Sequence, residues 1–257
     1  MKVIILAGGH GTRLGQISDI IPKPMVRIGG KPILWHIMKI YSHYGLNDFI
    51  LALGVKGEVI KEYFFNFEAL NNDFTMDLKT NEITHHNQHN EADWKVTLLD
   101  TGLNTLKGAR IKRIEKYLDD EINMITYGDG VANINIQSLL EYHKNHKKML
   151  TITGVNAPSR FGELVEKDGL VQSFREKPQM SVGIVNGGYM VFNKILLNYL
   201  TEDEKCDFEF GPLEDLAQSG EVMVYNHLGD WDCMDNERDV EYLNKLWNEK
   251  KAFWKIW

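Results

Sequence analysis

The feature that most constrains this chain is its opening, where Val3-Ile4-Ile5-Leu6-Ala7 runs straight into Gly8-Gly9-His10-Gly11-Thr12-Arg13. An unbroken apolar run rich in β-branched side chains reads as a strand buried on both faces, the kind found in parallel sheets covered by helices. The glycines after it let the backbone turn sharply and aim several N–H groups at one ligand, with no Cβ in the way. Arg13 adds a forked donor suited to phosphate oxygens. Pro22-Lys23-Pro24 stiffens a second loop around a single ammonium. A chain built this way is expected to bind phosphate at the carboxyl end of its first strand.

The remaining pattern supplies the rest of such a sheet. Helical periodicity over residues 32–44 places Ile33, Leu34, Ile37, Met38 and Tyr41 on one face, with Gly45 to end it. Strands are expected over 48–53, 95–99 and 122–127, and helices over 58–67, 108–118 and 136–146. The second half reads differently. Strands over 149–155 and 183–192 flank a hairpin, 163–165 with 170–175, turned by Asp168-Gly169. Helices over 208–219 and 239–250 surround a short strand at 221–225. Gly187-Gly188 interrupts its strand where something approaches the backbone closely. The polar stretch 71–93 carries no assignment and reads as an excursion from the sheet. The expectation is an α/β fold with a mixed, mostly parallel sheet flanked by helices, in one domain spanning 1–257.

Composition sets the limits. With 36 acidic against 29 basic side chains the 257-residue chain carries a formal charge of −7, which disfavours general nucleic-acid binding. A local pocket for a small anion is compatible with that. Cys206 and Cys233 make no disulfide framework, so a reduced, cytoplasmic setting is expected. No apolar run approaches the roughly 20 residues that span a bilayer, so no membrane insertion is expected. Gly8-Gly9 cuts the first apolar run too short for a signal peptide. Neither familiar phosphate fingerprint applies, because Leu14 stands where a dinucleotide motif needs its third glycine, and no Gly-Lys-Ser/Thr ending follows.

Asp129, between two glycines at the end of a buried strand, sits where ligand crevices form in open α/β sheets. Asp235 lies far downstream. By itself, an aspartate in Gly128-Asp129-Gly130 also suits a simple turn. His85, His86 and His89 do not match a structural zinc spacing. The tryptophans Trp94, Trp247, Trp254 and Trp257 gather toward the C-terminus, which favours docking of the tail or a contact between subunits.

Taken in order, Gly9-His10-Gly11-Thr12-Arg13, Pro22-Lys23-Pro24, Gly30-Lys31-Pro32-Ile33-Leu34, Gly128-Asp129-Gly130, Glu176-Lys177-Pro178, Asn186-Gly187-Gly188 and Met234-Asp235 span nearly the whole chain. Together they resemble the sugar-1-phosphate nucleotidylyltransferases. The segments Lys31–Lys39 and Val96–Gly102 are most similar to the cytidylyl-transferring members. The resemblance implies a Rossmann-like, glycosyltransferase-A-like fold with a small β/α sugar-binding portion. Residues 1–150 would mainly bind nucleotide, and 151–257 mainly sugar phosphate, ending in a helix. It implies Mg²⁺-dependent transfer from CTP to glucose 1-phosphate, giving CDP-glucose for a surface polysaccharide, by a homo-oligomer.

On this resemblance Arg13, Lys23 and Asp129 are catalytic, and Asp129 and Asp235 hold the metal. Leu6, Ala7, Gly8, Gly9, His10, Gly11, Thr12, Arg13, Lys23, Thr105, Arg110 and Gly128 line the nucleotide. Gly162, Glu176, Lys177, Asn186 and Gly187 take the sugar phosphate. A sugar-phosphate oxygen would attack the α-phosphorus while pyrophosphate leaves in line. Both reactants are anions, so cations must compensate their repulsion. The alternatives are another nucleotide or sugar 1-phosphate, a non-catalytic nucleotide-sugar sensor, and an NAD-linked oxidoreductase that the missing glycine disfavours.

Overall fold

A computed structural model of the chain describes residues 1–9, 14–15, 20–87, 89–157, 163–167, 170–175 and 183–257. Its centre is a seven-stranded sheet: β1 (Val3–Ala7), β2 (Asp48–Leu53), β3 (Lys95–Asp100), β4 (Ile122–Tyr127), β5 (Leu150–Val155), β6 (Val185–Asn193) and β7 (Val222–His227). Their spatial order is β7-β5-β6-β4-β1-β2-β3. Every strand runs the same way except β6, which is antiparallel to β4 and to β5.

The five residues of β1 are all buried because helices cover both faces. Val3, Ile5 and Ala7 point into one apolar cluster and Ile4 and Leu6 into the other, as the two-residue period of a strand requires. The first cluster includes α1 (Ile33–His43). The second includes Ile111 of α3 (Lys107–Arg113), with α2 (Gly57–Phe65) lying between them in sequence. Two further helices are α4 (Ile136–His146) and α5 (Glu237–Asn248).

The alternation in the first half gave the right elements in the right order. Helix α1 begins after Pro32 and stops before Gly45, whose φ of +76° suits a residue without a Cβ. It is buried almost all round because the C-terminal tail packs on its outer side. Trp254 is fully buried and approaches the His36 ring, while Trp257 meets Trp35 edge-on at 5.8 Å. Trp94 packs elsewhere, against Phe49 and Phe67.

Two expectations need correction. The helix expected over 108–118 is α3 followed by a separate turn, Glu115–Tyr117. The helix expected over 208–219 is broken: Phe210 and Gly211 have non-helical dihedrals, Gly211 at φ +97°, and regular helix covers only Glu214–Gln218. Pro212 just beyond them is the physical reason, since it lacks an N–H and restricts the residue before it. The stretch 71–93 contains a hairpin, Phe74–Asp77 with Glu82–His85. The hairpin expected around Asp168-Gly169 pairs Glu163–Lys167 with Leu170–Arg175, and its turn residues lie outside the described ones.

Candidate functional site

In an open α/β sheet the ligand crevice opens where neighbouring strands lead their connections to opposite sides. Here that point lies between β1 and β4. From β1 the chain continues through β2 and β3 on one side, and β4 returns to the other. Leu6 pairs with Tyr127, so Gly8 and Gly128-Asp129 leave the sheet at the same level. A crevice of about 500 Å³ opens there, lined by Leu6, Ala7, Gly8, Gly9, Lys23, Pro24, Tyr127, Gly128 and Asp129, and across from them by residues 103–107 and Arg110.

Local structure explains how two carboxylates distant in sequence converge. A two-stranded ribbon pairs Gly130–Ala132 with Trp231–Cys233, with Cys233 opposite Gly130. The Met234 N–H continues it, donating to the Asp129 carbonyl at 2.9 Å. Asp235 therefore emerges beside Asp129. Its own backbone is fixed by the start of α5, where Asn236 caps the helix and Asp239 reciprocates. The Asp239 carboxylate accepts from the N–H groups of Asp235 at 2.8 Å and Asn236 at 3.0 Å.

Lys23 completes the group. Pro22 and Pro24 hold it in a single tight turn, and Gly128 leaves room for the Pro24 ring, which a Cβ would meet at 2.9 Å. Lys23 Nζ donates to Asp129 Oδ2 at 2.6 Å and to Asp235 Oδ1 at 2.7 Å. Burial alone would lower the pKa of this ammonium, but the two carboxylates outweigh burial and hold it above the usual lysine value. The carboxylates are hard oxygen donors facing one cation position, the donor chemistry that Mg²⁺ takes. Asp129 and Asp235 thus fit a divalent metal. Beside them, burial and the nearby Asp235 and Asp129 charges push the Cys233 thiol up to about 12, so it stays protonated. Cys206 and Cys233 are both free thiols.

Arg110 has a different place from a solvated helix face. It is 3% exposed, and its guanidinium donates to the carbonyls of Gly8 at 2.8 Å, Leu53 at 2.8 Å and Gly102 at 2.7 Å, and to Thr101 Oγ1 at 2.7 Å. It ties the carboxyl ends of β1, β2 and β3 together. A Cβ on Gly8 would sit 2.4 Å from this guanidinium, so the first glycine of the loop is needed for Arg110 as well as for any ligand. Thr105 is also buried, and its Oγ1 accepts from Arg113 at 2.9 Å. Both residues border the crevice with a fixed cation and, among the described residues, no carboxylate in direct contact, which favours anions there.

On the other side of Asp129, Tyr127 donates through its hydroxyl to Glu209 Oε1 at 2.6 Å and accepts from Asn186 Nδ2 at 3.2 Å. Lys107 pairs with the same Glu209 oxygen and lies over the Tyr127 ring. Burial and the Glu209 charge raise the Tyr127 pKa far above the phenol range. The close approach expected at Gly187-Gly188 is made by the chain itself. Val155 packs 2.6 Å from where a Gly187 Cβ would stand, and Tyr127 covers Gly188, whose φ is +82°. Trp231 Nε1 donates to the Gly187 carbonyl at 2.8 Å, so β6 is joined to the ribbon that carries Asp129.

Of the residues expected at the site, Leu6, Ala7, Gly8, Gly9, Lys23, Thr105, Arg110, Gly128 and Asp129 surround one crevice. Asp235 joins them through Lys23, and Asn186 and Gly187 through Tyr127 and Trp231. His10, Gly11, Thr12, Arg13, Gly162, Glu176 and Lys177 lie outside the described residues. Sequence reading missed Tyr127, Lys107 and Glu209 as partners. Tyr127 had a signal, as the last strand residue before Gly128-Asp129; Glu209 had none. Among the described residues no group of three or more His, Cys, Asp or Glu side chains is placed to hold a metal. His89 bonds to Glu68 and His86 to Thr75. No helix of the described residues is long and apolar enough to cross a membrane.

The Nucleotidyl transferase family profile matches residues 2–248. The glucose-1-phosphate cytidylyltransferase of Salmonella typhimurium is 47% identical over 258 residues, covering all of both chains. A Bacillus subtilis protein named "Probable glucose-1-phosphate cytidylyltransferase" is 46% identical over 257 residues, again covering both completely. Among solved structures, HddC from Yersinia pseudotuberculosis superposes with a TM-score of 0.69 at 26% identity, over 96% of this chain and 99% of that one.

Proposed function

This chain belongs to the nucleotidyl transferase family, and we propose that it transfers a cytidylyl group from CTP to α-D-glucose 1-phosphate, giving CDP-glucose and pyrophosphate. The choice of substrates follows the full-length relatives that carry this activity in their names. The observation that carries the chemistry is the convergence of Asp129 and Asp235 on Lys23 at the mouth of a glycine-lined crevice.

The reaction joins two anions, and their repulsion is the main obstacle. A phosphate oxygen of the sugar 1-phosphate is already ionised near neutral pH, so no strong general base is required. It attacks the α-phosphorus in line with the departing pyrophosphate. Positioning and charge compensation therefore supply most of the rate. The Gly8-Gly9 backbone, over the buried Arg110 cation, receives the triphosphate. Lys23 neutralises phosphate charge at the reacting centre, and Arg13 shares that role. Asp129 and Asp235 would hold Mg²⁺, which would supply Lewis-acid neutralisation of triphosphate charge. Lys177 takes the phosphate of the sugar, while Glu176, Asn186 and the backbone at Gly162 and Gly187 take the hexose.

The test is a matrix of the common nucleoside triphosphates against several hexose 1-phosphates, read as pyrophosphate release. CTP with glucose 1-phosphate is expected to give the highest kcat/KM. Nucleotide-sugar binding without pyrophosphate release would mean a sensor instead, and a better pair elsewhere in the matrix would replace the substrates.

A further inference from the structure

Glu209 contacts both Tyr127 and Lys107, which line the crevice, and its surroundings assign it a direction as well as a place. An ionised carboxylate only accepts hydrogen bonds. The Tyr127 hydroxyl, 2.6 Å from Glu209 Oε1, must therefore spend its single proton on Glu209. Its oxygen is then left as an acceptor, and the Asn186 amide must present Nδ2 to it, as observed at 3.2 Å. The other end of the same amide is fixed too, because Asn186 Oδ1 accepts from the Gly188 N–H at 2.9 Å. One Nδ2 hydrogen remains for a ligand. The Glu209 charge and the Gly188 N–H thus set, from opposite ends, the donor–acceptor polarity of a chain that reaches an exposed amide on β6.

The segment that carries Glu209 is built to hold it. Asp207 Oδ1 accepts from the backbone N–H groups of Phe208 at 2.6 Å and Glu209 at 3.1 Å, and Phe208 is fully buried. The break at Phe210 and Gly211 then turns the chain away. Glu209 also pairs with Lys107, which lines the nucleotide side of the crevice. Its second oxygen, Oε2, is buried with no hydrogen-bond partner among the described residues. A buried carboxylate oxygen left unsatisfied is costly, and such a cost is tolerated where it serves a function.

We propose that Glu209 is a positioning residue for the sugar phosphate: through Tyr127 it orients the Asn186 amide so that an N–H faces the hexose. The inference rests on the assignment of Asn186 to the sugar side. It adds Glu209 and Tyr127 to that side.

The experiment is steady-state kinetics on Glu209→Gln, Tyr127→Phe, the double variant and Lys107→Met, with thermal midpoints for each. Glutamine keeps the shape but offers both a donor and an acceptor to Tyr127, so the polarity is no longer enforced. Glu209→Gln and Tyr127→Phe are each expected to raise KM for glucose 1-phosphate about tenfold, the effect of one lost or misdirected hydrogen bond. KM for CTP and kcat are expected to stay within about threefold, and the double variant to be no worse than Tyr127→Phe, because the two act in series. Lys107→Met, which removes the ion pair on the nucleotide side, is expected to raise KM for CTP more than KM for glucose 1-phosphate, separating the ion pair from the amide. An unchanged sugar KM in Glu209→Gln overturns the inference, as does a loss that tracks the thermal midpoint and strikes both substrates equally. If the unaltered protein forms no CDP-glucose, it is the reading of the function that fails; the same variants then show by titration with glucose 1-phosphate whether the amide is still oriented by Glu209.

Discussion

At the scale of single residues, burial has converted side chains that usually face water into internal fasteners. Arg110 is the clearest case, as a guanidinium whose fork fits the carbonyls at the ends of three strands. His36 is another. It is fully buried under the tail, with Nε2 donating to the Ile28 carbonyl at 2.8 Å and Nδ1 accepting from Trp254 Nε1 at 3.3 Å. Those two bonds require the neutral Nε2–H tautomer, and burial lowers its pKa to about 4. The unfolded chain then binds a proton that the folded chain refuses, so stability falls as pH drops from about 6.5 toward 4 and is level above that window. At pH 5 the loss from this one group is on the order of 2 kcal/mol. Urea midpoints at pH 7.5 and 5 should separate accordingly, and His36→Gln, which can also donate and accept, should narrow the gap. An equal gap in both proteins would mean that other groups carry the acid sensitivity.

At the scale of elements, the placement of Asp235 beside Asp129 depends on how α5 begins. Asn236 and Asp239 form a reciprocal cap that also holds the Asp235 backbone. Asn236→Ala is expected to cost about 1 kcal/mol of stability and to lower turnover more than Asn236→Thr, since threonine caps nearly as well. Unfolding curves and kcat for the two variants test this. Equal turnover in both would mean that the cap stabilises the helix without positioning Asp235. Elements were legible wherever one period dominated. The apolar run of β1 and the helical stripe of α1 each announced themselves. The break at Phe210-Gly211 was obscured by apolar spacing that continues through it, although Gly211-Pro212 is a breaker signal in the sequence. The ribbon of Gly130–Ala132 with Trp231–Cys233 is three residues a side, too short for alternation to show.

At the scale of the whole molecule, topology turns scattered motifs into a site. Glycine loops, a Pro-Lys-Pro turn and two aspartates mean little singly. The sheet order brings β1 and β4 together, and the ribbon brings Asp235 to Asp129. The glycine and aspartate motifs were therefore readable in the sequence, while the Glu209–Tyr127–Asn186 chain was not, because its members come from three unrelated segments. The central claim is that Asp129 and Asp235 serve one metal-triphosphate centre. It is tested most directly by kcat at saturating substrates for Asp129→Asn, Asp235→Asn and the double variant. Each single substitution is predicted to lower kcat by about a thousandfold, and the double by no more than about tenfold beyond the worse single, since groups acting as a unit are not additive. Near-normal turnover in Asp235→Asn, or losses that multiply in the double variant, would contradict it.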